Sequence, residues 1–580
     1  MTDYIKYIKK ILELGNLGIK FYLIIFFSLI STLFDILSII LIIPIAAIIF
    51  DASSSGILSD LLKSLENFQI FNDKKNFLIV FLIIFIIKTF LTIFIYRYIS
   101  RIRLELKAKL RIDLINKYNL TEYSSFRQKL SSHHIQTITS AVSVFSNCLM
   151  SFLRIISEGI IILFIVLYLS VLDSKFILTV LPVFILFVLI NHLIFKKKLV
   201  NLGNFVNKTS KDVIQIVTDF VKGIKEIKIS KKESFFISVF KKKADNLARN
   251  ELSFEVILFT PRYFLEVFLI IFVIGFLFIN FNVLSSGQSE QYIILLASYL
   301  YATLRLLPSI SIIARMTSIL NNGVNFVESL YNDLVSESPK EVLDLSDNDN
   351  TKDWQFKKLE FKDVSFSYNK KDLVLNKLNL EINSAESILI TGPSGCGKST
   401  TVDLILGFFR PISGEILVNK NDTDISKFRN NSYYISQNKF LFNETIFNNI
   451  VLDKNKLSYN DLNYEEKVIF DKALKISRLE EIVNNKIEKL DFYIGEGGNN
   501  LSGGQRQRIS IARSLYSNRE ILIFDEATSE LDKNLEEEIF FELSKLSKVG
   551  KTIIVISHSN VIGKYFNKIF KLQNGSIDNN

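Results

Sequence analysis

The chain has 580 residues, of which 49% are hydrophobic, with 50 Phe and a formal net charge of +10. That length implies several domains, or one large membrane module joined to a soluble one, and the mean hydropathy of +0.28 is high for a soluble protein. Two cysteines in unlike contexts, Cys148 and Cys396, and four histidines indicate neither a disulfide framework nor a structural zinc site.

Six apolar runs come first, at about 19–50, 77–99, 146–171, 176–195, 256–281 and 291–314. Each meets the roughly 20 apolar residues that a membrane helix needs. The first is too long, and too poor in small residues before a cut site, to read as a cleaved signal peptide. Between them, "GILSDLLKSLENF" (56–68) carries a helical stripe of Ile57, Leu58, Leu61, Leu62, Leu65 and Phe68, as an interfacial helix does.

Loop charges set the orientation. Residues 97–145 hold nine Lys/Arg against three Asp/Glu, and residues 196–252 hold fourteen against six. The other loops are near neutral or acidic, so both long loops and both termini belong in the cytoplasm. The excess positive charge is thereby accounted for without nucleic acid. Helical patterns such as "RIRLELKAKLRIDLINKY" (102–119) read as cytoplasmic extensions of the spans, joined by turns near 121–128 and 219–227.

Several charges fall within or beside the apolar runs: Asp35, Lys88, Arg262 and Arg305, with Arg154/Glu158 and Arg262/Glu266 spaced i, i+4. A charge at mid-span costs about 2.5–3.5 kcal/mol on insertion scales, so such groups face a cavity or each other. Arg154 and Glu158 read as a mutually neutralised pair. Lys88 and Arg305 have no acid within reach on their own helices. They must meet a partner, water or an anion, and Asp35 is a candidate to neutralise one of them.

The sequence divides into a six-helix membrane domain at 1–330, an acidic polar linker at 331–354, and a soluble domain at 355–580. The last alternates strand and helix signals, an α/β pattern. Within it, "SILITGPSGCGKSTTVDLILGF" (387–408) sets a buried strand, then G-x-x-x-x-G-K-S, then a helix. Gly392, Gly395 and Gly397 let backbone N–H groups curl around phosphates, with Pro393, Ser394, Cys396 and Thr400 completing the loop. Lys398 would reach the β- and γ-phosphates, and Ser399 would ligate Mg2+. Beside a helix N-terminus the Cys396 thiolate is favoured. In "ILIFDEATSELD" (521–532) an apolar strand ends in two carboxylates. Asp525 suits Mg2+, and Glu526 suits the general base that polarises the attacking water.

"LSGGQRQRISIAR" (501–513) resembles the signature sequence of ABC ATPases. The resemblance covers the soluble half and, through the order membrane domain then ATPase, the membrane half as an exporter-type fold. It implies ATP and Mg2+ as cofactors and a homodimer, in which Ser502, Gly503, Gly504 and Gln505 of one subunit close over the nucleotide held by the other. It also implies roles for Tyr368 on adenine, Gln437 as a Mg2+ sensor, His558 at the γ-phosphate, Asp532 between the two sites and Glu496 in a loop before the signature. Glu530 stands where the family often has Ala, and Ser559 where Arg is common. DNA-repair ATPases share these motifs but have no membrane spans.

The membrane half is similar to the lipid-linked oligosaccharide flippases of bacterial protein glycosylation, in "TPRYFLEV" (260–267), "LRLLPS" (304–309) and a basic residue midway along the second span. That resemblance implies a cationic cavity of Lys88, Arg262 and Arg305 for a polyprenyl pyrophosphate, and a short external helix at 56–68 that engages the lipid tail. Lys88 departs from arginine and lacks its bidentate fork. The expected protein is an ATP-driven flippase of the bacterial inner membrane moving a lipid-linked glycan. Export of a peptide or another lipid, or an ATPase regulating a membrane partner, are the alternatives.

Overall fold

The computed structural model describes residues 2–50, 74–172, 198, 201–206, 208–279, 289–336, 354–369, 372–421, 425–453, 455–484, 488–558 and 561–577. The apolar run 176–195, the segment 56–68 and Ser559 lie outside the described residues. Contacts divide the chain into two units: Met1–Thr121 with Ser125–Val342, and Leu343–Asn580 with Glu122–Ser124.

The first unit is helical. Its described helices include α1 (Thr2–Gly15), α2 (Ile19–Phe50), α3 (Lys74–Leu120), α4 (Tyr123–Gln128), α5 (Ser131–Gln136), α6 (Val142–Leu172), α7 (Ile224–Ser230), α8 (Glu233–Ile279), α9 (Ser289–Asn322) and α10 (Val324–Tyr331). Helices α3 and α8 have 47 residues each, which at 1.5 Å per residue gives about 70 Å. That is more than twice the hydrocarbon thickness of a bilayer, so their charged ends run on past the apolar runs. Among the described residues, Ile19–Leu41, Leu78–Leu120 and Ser131–Ser170 are long and apolar enough to cross a membrane. On the first half of α3 the exposed surface is itself apolar, through Leu82, Ile86, Phe90 and Ile93, as lipid-facing helices require. The core of the unit gathers where α1, α2, α3, α6 and α10 meet, around Ile11, Ile24, Ile99, Leu114, Phe145, Cys148 and Val327.

Helix α10 continues into a π-turn, Asn332–Ser336, which carries a buried carboxylate. Asp333 is 3% exposed. It accepts hydrogen bonds from Tyr118 Oη at 2.7 Å, Lys129 Nζ at 3.1 Å and His133 Nε2 at 3.2 Å. Burial alone would raise its pKa, but His133, Tyr118 and Lys129 together hold it well below the usual carboxylate range.

The second unit contains two sheets. One is antiparallel, in the order β2 (Leu375–Asn383), β1 (Lys358–Phe366), β4 (Ser413–Val418). The other has six strands in the order β5 (Ser432–Ile435), β6 (Ile521–Asp525), β7 (Thr552–Ile556), β3 (Ser387–Thr391), β8 (Lys568–Gln573), β9 (Ser576–Ile577). All its pairings are parallel except β8 with β9. Strands β3, β6 and β7 are buried along their whole length, which is why "SILIT", "ILIFD" and "TIIVI" read as continuous apolar runs rather than alternating ones. Helices α11 (Lys398–Ile405), α12 (Gly503–Tyr516) and α13 (Lys533–Ser547) pack with them. In parallel α/β sheets, ligands meet the carboxyl ends of the strands, where Thr391, Asp525 and Ile556 end β3, β6 and β7.

Candidate functional site

Strand β3 ends at Thr391, and the next six residues turn back over the start of α11. Gly397 caps that helix at φ 105°, and a Cβ there would press on Leu375 Cδ2 at 2.6 Å, so both backbone and space demand glycine. A Cβ on Gly392 would overlap the Leu572 carbonyl oxygen. The loop closes around its own lysine. Lys398 is 6% exposed and donates to the carbonyl oxygens of Gly392 and Pro393, both at 2.9 Å. Pro393, Ser394, Gly395 and Ser399 are exposed, which leaves the outer side of the loop open to phosphate. Cys396 is 6% exposed and belongs to the hydrophobic core. Its thiol is therefore packed inward and not presented on the open side of the loop. Thr400 is tied to Tyr368, whose hydroxyl lies 3.1 Å from Thr400 Oγ1. The Tyr368 ring is half exposed and meets Phe366 and Phe409 edge-on.

At the end of β6, Asp525 is 3% exposed. Its Oδ2 accepts from Tyr434 Oη at 3.1 Å, while its Oδ1 is buried with no hydrogen-bond partner. Burial raises the pKa of this carboxyl, opposed by Tyr434 and Ser399. A buried carboxylate with an orphan oxygen beside a serine hydroxyl fits a Mg2+ ion, which accepts one or two protein oxygens and keeps its waters. Asp525 and Ser399, with Gln437 nearby, are the residues to hold it.

Glu526 follows with φ +50°, a conformation uncommon for a non-glycine residue and concentrated at functional sites. Both carboxylate oxygens are engaged. Gln437 Nε2 donates to Oε2 at 2.7 Å, and His558 Nε2 lies 2.8 Å from Oε1. Residues from four separate stretches thus converge: Lys398 and Ser399, Asp525 and Glu526, Gln437, and His558.

The signature residues form a second group, at the start of α12. Ser502 is the N-cap in a reciprocal capping box with Gln505: Gln505 N donates to Ser502 Oγ at 3.3 Å, and Ser502 N donates to Gln505 Oε1 at 3.0 Å. Gly503 and Gly504 then occupy the first helical turn, where backbone N–H groups lack intrahelical partners. Asp532 caps α13, its Oδ1 accepting from Leu535 N at 2.9 Å. Tyr434, which the motifs do not point to, holds Asp525, and two further residues outside the motifs' roles, Lys439 and Glu530, pair with each other at 2.8 Å without touching the nucleotide group. Their only sequence signals are proximity to Gln437 and the departure at 530.

In the first unit the charged residues reach one another across helices. Asp35 is fully buried. Its Oδ1 meets Lys88 Nζ at 2.5 Å and Arg305 Nε at 2.8 Å, and its Oδ2 accepts from Arg305 Nη2 at 2.9 Å. The sequence offered Asp35 as a candidate partner for one of these cations. The structure sets it against both, since the guanidinium fork takes both carboxylate oxygens edge-on and leaves room for an ammonium on one of them. Arg154 and Glu158 pair at 3.5 Å, with Arg154 also over the Tyr96 ring. Arg262 lies on α8, and its side chain is outside the described residues, as is that of Glu266.

Comparisons with known proteins agree with this layout. A model described as ABC transporter transmembrane region matches residues 21–304, and one described as ABC transporter matches residues 375–529. The lactococcin-G-processing and transport ATP-binding protein LagD of Lactococcus lactis is 39% identical over 42% of this chain and 34% of its own. An uncharacterized ABC transporter ATP-binding protein of Bacillus subtilis, YwjA, is 32% identical over 67% of this chain and 65% of its own. The chain thus matches only about a third and just under two thirds of those relatives' lengths. An ATP-dependent lipid A-core flippase of Pseudomonas savastanoi is 28% identical over 80% and 75%. A bacterial Atm1-family ABC exporter solved with ATP bound superposes with a TM-score of 0.76 at 18% identity, covering 98% of this chain and 94% of that one.

Proposed function

The chain belongs to the ABC transporters, with membrane domain and ATPase fused in one polypeptide, and from that premise we propose that it is an ATP-hydrolysing exporter of an anionic amphiphile. The observation that carries the ATPase half is the convergence on Glu526, whose two oxygens are held by Gln437 and His558. Held this way, the carboxylate is aimed to take a proton from the water that attacks the γ-phosphate of ATP. Lys398, now turned onto the carbonyl oxygens of its own loop, is placed to exchange those neutral acceptors for phosphate oxygens. Asp525 and Ser399 would hold a Mg2+ ion, which would supply charge neutralisation for the β- and γ-phosphates. Tyr368 offers its exposed ring to the adenine.

In this reading the site is completed by a second copy of the chain, with Ser502, Gly503 and Gly504 presented to the partner's nucleotide. Asp532 would join the two sites. We place the protein in the bacterial inner membrane with its ATPase in the cytoplasm, following the loop charges.

For the cargo, the reading is a polyprenyl-pyrophosphate-linked oligosaccharide. Its support is the pair of cations converging on Asp35 and the sequence resemblance around Arg262 and Arg305. Relatives named ATP-dependent lipid A-core flippases add support for a lipid cargo. In this reading the pyrophosphate replaces Asp35 as the partner of Lys88 and Arg305, with Arg262 as the third cation. LagD, named for a bacteriocin, favours a peptide cargo as the second reading. The test is ATP-driven translocation of a fluorescent polyprenyl-pyrophosphate oligosaccharide in proteoliposomes. Movement lost in Glu526→Gln and in Arg262→Ala/Arg305→Ala supports the glycolipid. ATP turnover without movement of it sinks that cargo and turns attention to peptides.

A further inference from the structure

Glu530 occupies a place that none of the roles above uses. Its Oε1 lies 2.8 Å from Lys439 Nζ, and its Oε2 lies 3.9 Å from Arg506 Nη2. Its backbone N donates to Gln507 Oε1 at 3.1 Å, and Gln507 is fully buried in α12. A Cβ on Gly503 would coincide with Glu530 Oε2, so the carboxylate lies directly on the first residue of the signature helix. Each contact leads to a different functional segment. Lys439 sits two residues beyond Gln437, the residue that holds Glu526. Arg506, Gln507 and Gly503 belong to the signature helix. Glu530 itself stands between Asp525–Glu526 and Asp532.

The Lys439 contact is half sheltered: the lysine side chain is 6% exposed and the Glu530 side chain 44%, so solvent screens the pair only in part. The lysine ammonium is the leading cause holding the Glu530 carboxyl below its usual range. Removing the carboxylate takes this partner from the Lys439 ammonium at a modest cost in stability, since the carboxylate itself is 44% exposed, and it unties the segment behind Gln437 from the signature helix. At the other end, the signature helix loses the side chain that lies against Gly503.

We propose that Glu530 is a positioning residue that ties the segment behind Gln437 to the start of the signature helix, so that the state of a chain's own nucleotide site sets the pose of the signature it lends to its partner. The inference rests on the reading of the protein as a dimeric ATPase. Glu530 does not touch the nucleotide; it acts through Lys439 and Gly503. Where an alanine stands at this position, no such strut exists.

Full-length purified protein provides the test, through phosphate release as a function of MgATP. Wild type should show cooperative dependence, with a Hill coefficient above 1. In Glu530→Ala the coefficient should fall to 1 and the half-saturating ATP concentration rise about fivefold or more, the lower end of ordinary coupling between sites. The maximal rate, ATP binding without Mg2+ and the Tm should stay near wild type, which a merely structural role would not produce. Lys439→Met should copy the change, and Glu530→Ala/Lys439→Met should be no worse than either alone, since they break one link. Glu530→Gln keeps an acceptor for Lys439 and should recover part of the cooperativity. Unchanged kinetics in Glu530→Ala, additive effects in the double variant, or a non-cooperative wild-type dimer would each overturn the strut. A Glu526→Gln protein that stays monomeric with ATP, or a wild type that lacks ATP turnover, overturns the dimeric ATPase itself.

Discussion

The nucleotide group of the second unit and the charged cluster of the first are both built around a buried aspartate, and they are finished to different degrees. Asp525 keeps a buried oxygen with no partner, next to a glutamate in a left-handed backbone conformation. Asp35 has both oxygens engaged, by two cations from two other helices. An unsatisfied buried group costs about 1–3 kcal/mol, so one that persists points to a missing ligand. A satisfied group is stable alone and admits an anion only by exchange. The first unit therefore waits closed, and the second waits open.

The largest effect expected from breaking this contrast is at the open site. Glu526→Gln should lower ATP turnover by about 10²–10⁴-fold while nucleotide still binds, measured by phosphate release beside nucleotide retention. Retained turnover would remove Glu526 from the role of base. At the closed site, Asp35→Asn leaves Lys88 and Arg305 facing each other without the carboxylate. Breaking a buried ion pair this way costs about 3–5 kcal/mol, read as a fall in Tm in detergent. Asp35→Asn/Lys88→Met/Arg305→Met should recover most of it, and a single variant as stable as wild type would contradict the cluster.

Asp525→Asn sharpens the comparison in the opposite direction. The folded pKa is raised, so the charged form is penalised in the fold at neutral pH and relieved as pH falls. Removing the charge should stabilise the nucleotide-free protein by on the order of 1 kcal/mol, and should abolish the extra Tm gained with MgATP over ATP alone. A destabilised, Mg2+-responsive Asp525→Asn would mean the ion sits elsewhere. The smallest effect concerns Asp333, which is satisfied like Asp35 but lies outside the spans. Its folded pKa is depressed, so its stabilisation is complete above the unfolded value of about 4 and is lost as pH falls toward the folded value. The Tm gap between wild type and Asp333→Asn should thus narrow below about pH 4, and a constant gap would exclude the ionised form.

The two regions were also unequally legible in the sequence. The phosphate loop and the end of β6 are contiguous motifs, in which backbone and side chains act within a few residues. Their strands could be read because burial on both faces leaves an unbroken apolar run. The partners of those motifs are distant: Gln437 and Glu526 are 89 residues apart, and Lys439 and Glu530 are 91 apart. Only the family resemblance pointed to the first pair, and nothing pointed to the second beyond an unusual residue at 530. Asp35 and Arg305 are 270 apart on helices whose apolar faces carry no register. Charges inside spans could be recognised as needing partners, but which partner takes which charge is decided by helix packing.

The π-turn at Asn332–Ser336 bears on where the polypeptide can be divided. Composition places the end of the membrane domain near 330, yet Asp333 collects hydrogen bonds from Tyr118, Lys129 and His133. A protease cut or a stop codon at Tyr331 would carry away the carboxylate on which Tyr118, Lys129 and His133 converge. The membrane half prepared on its own should therefore keep its residues through Ser336, and the ATPase half should be started only beyond it.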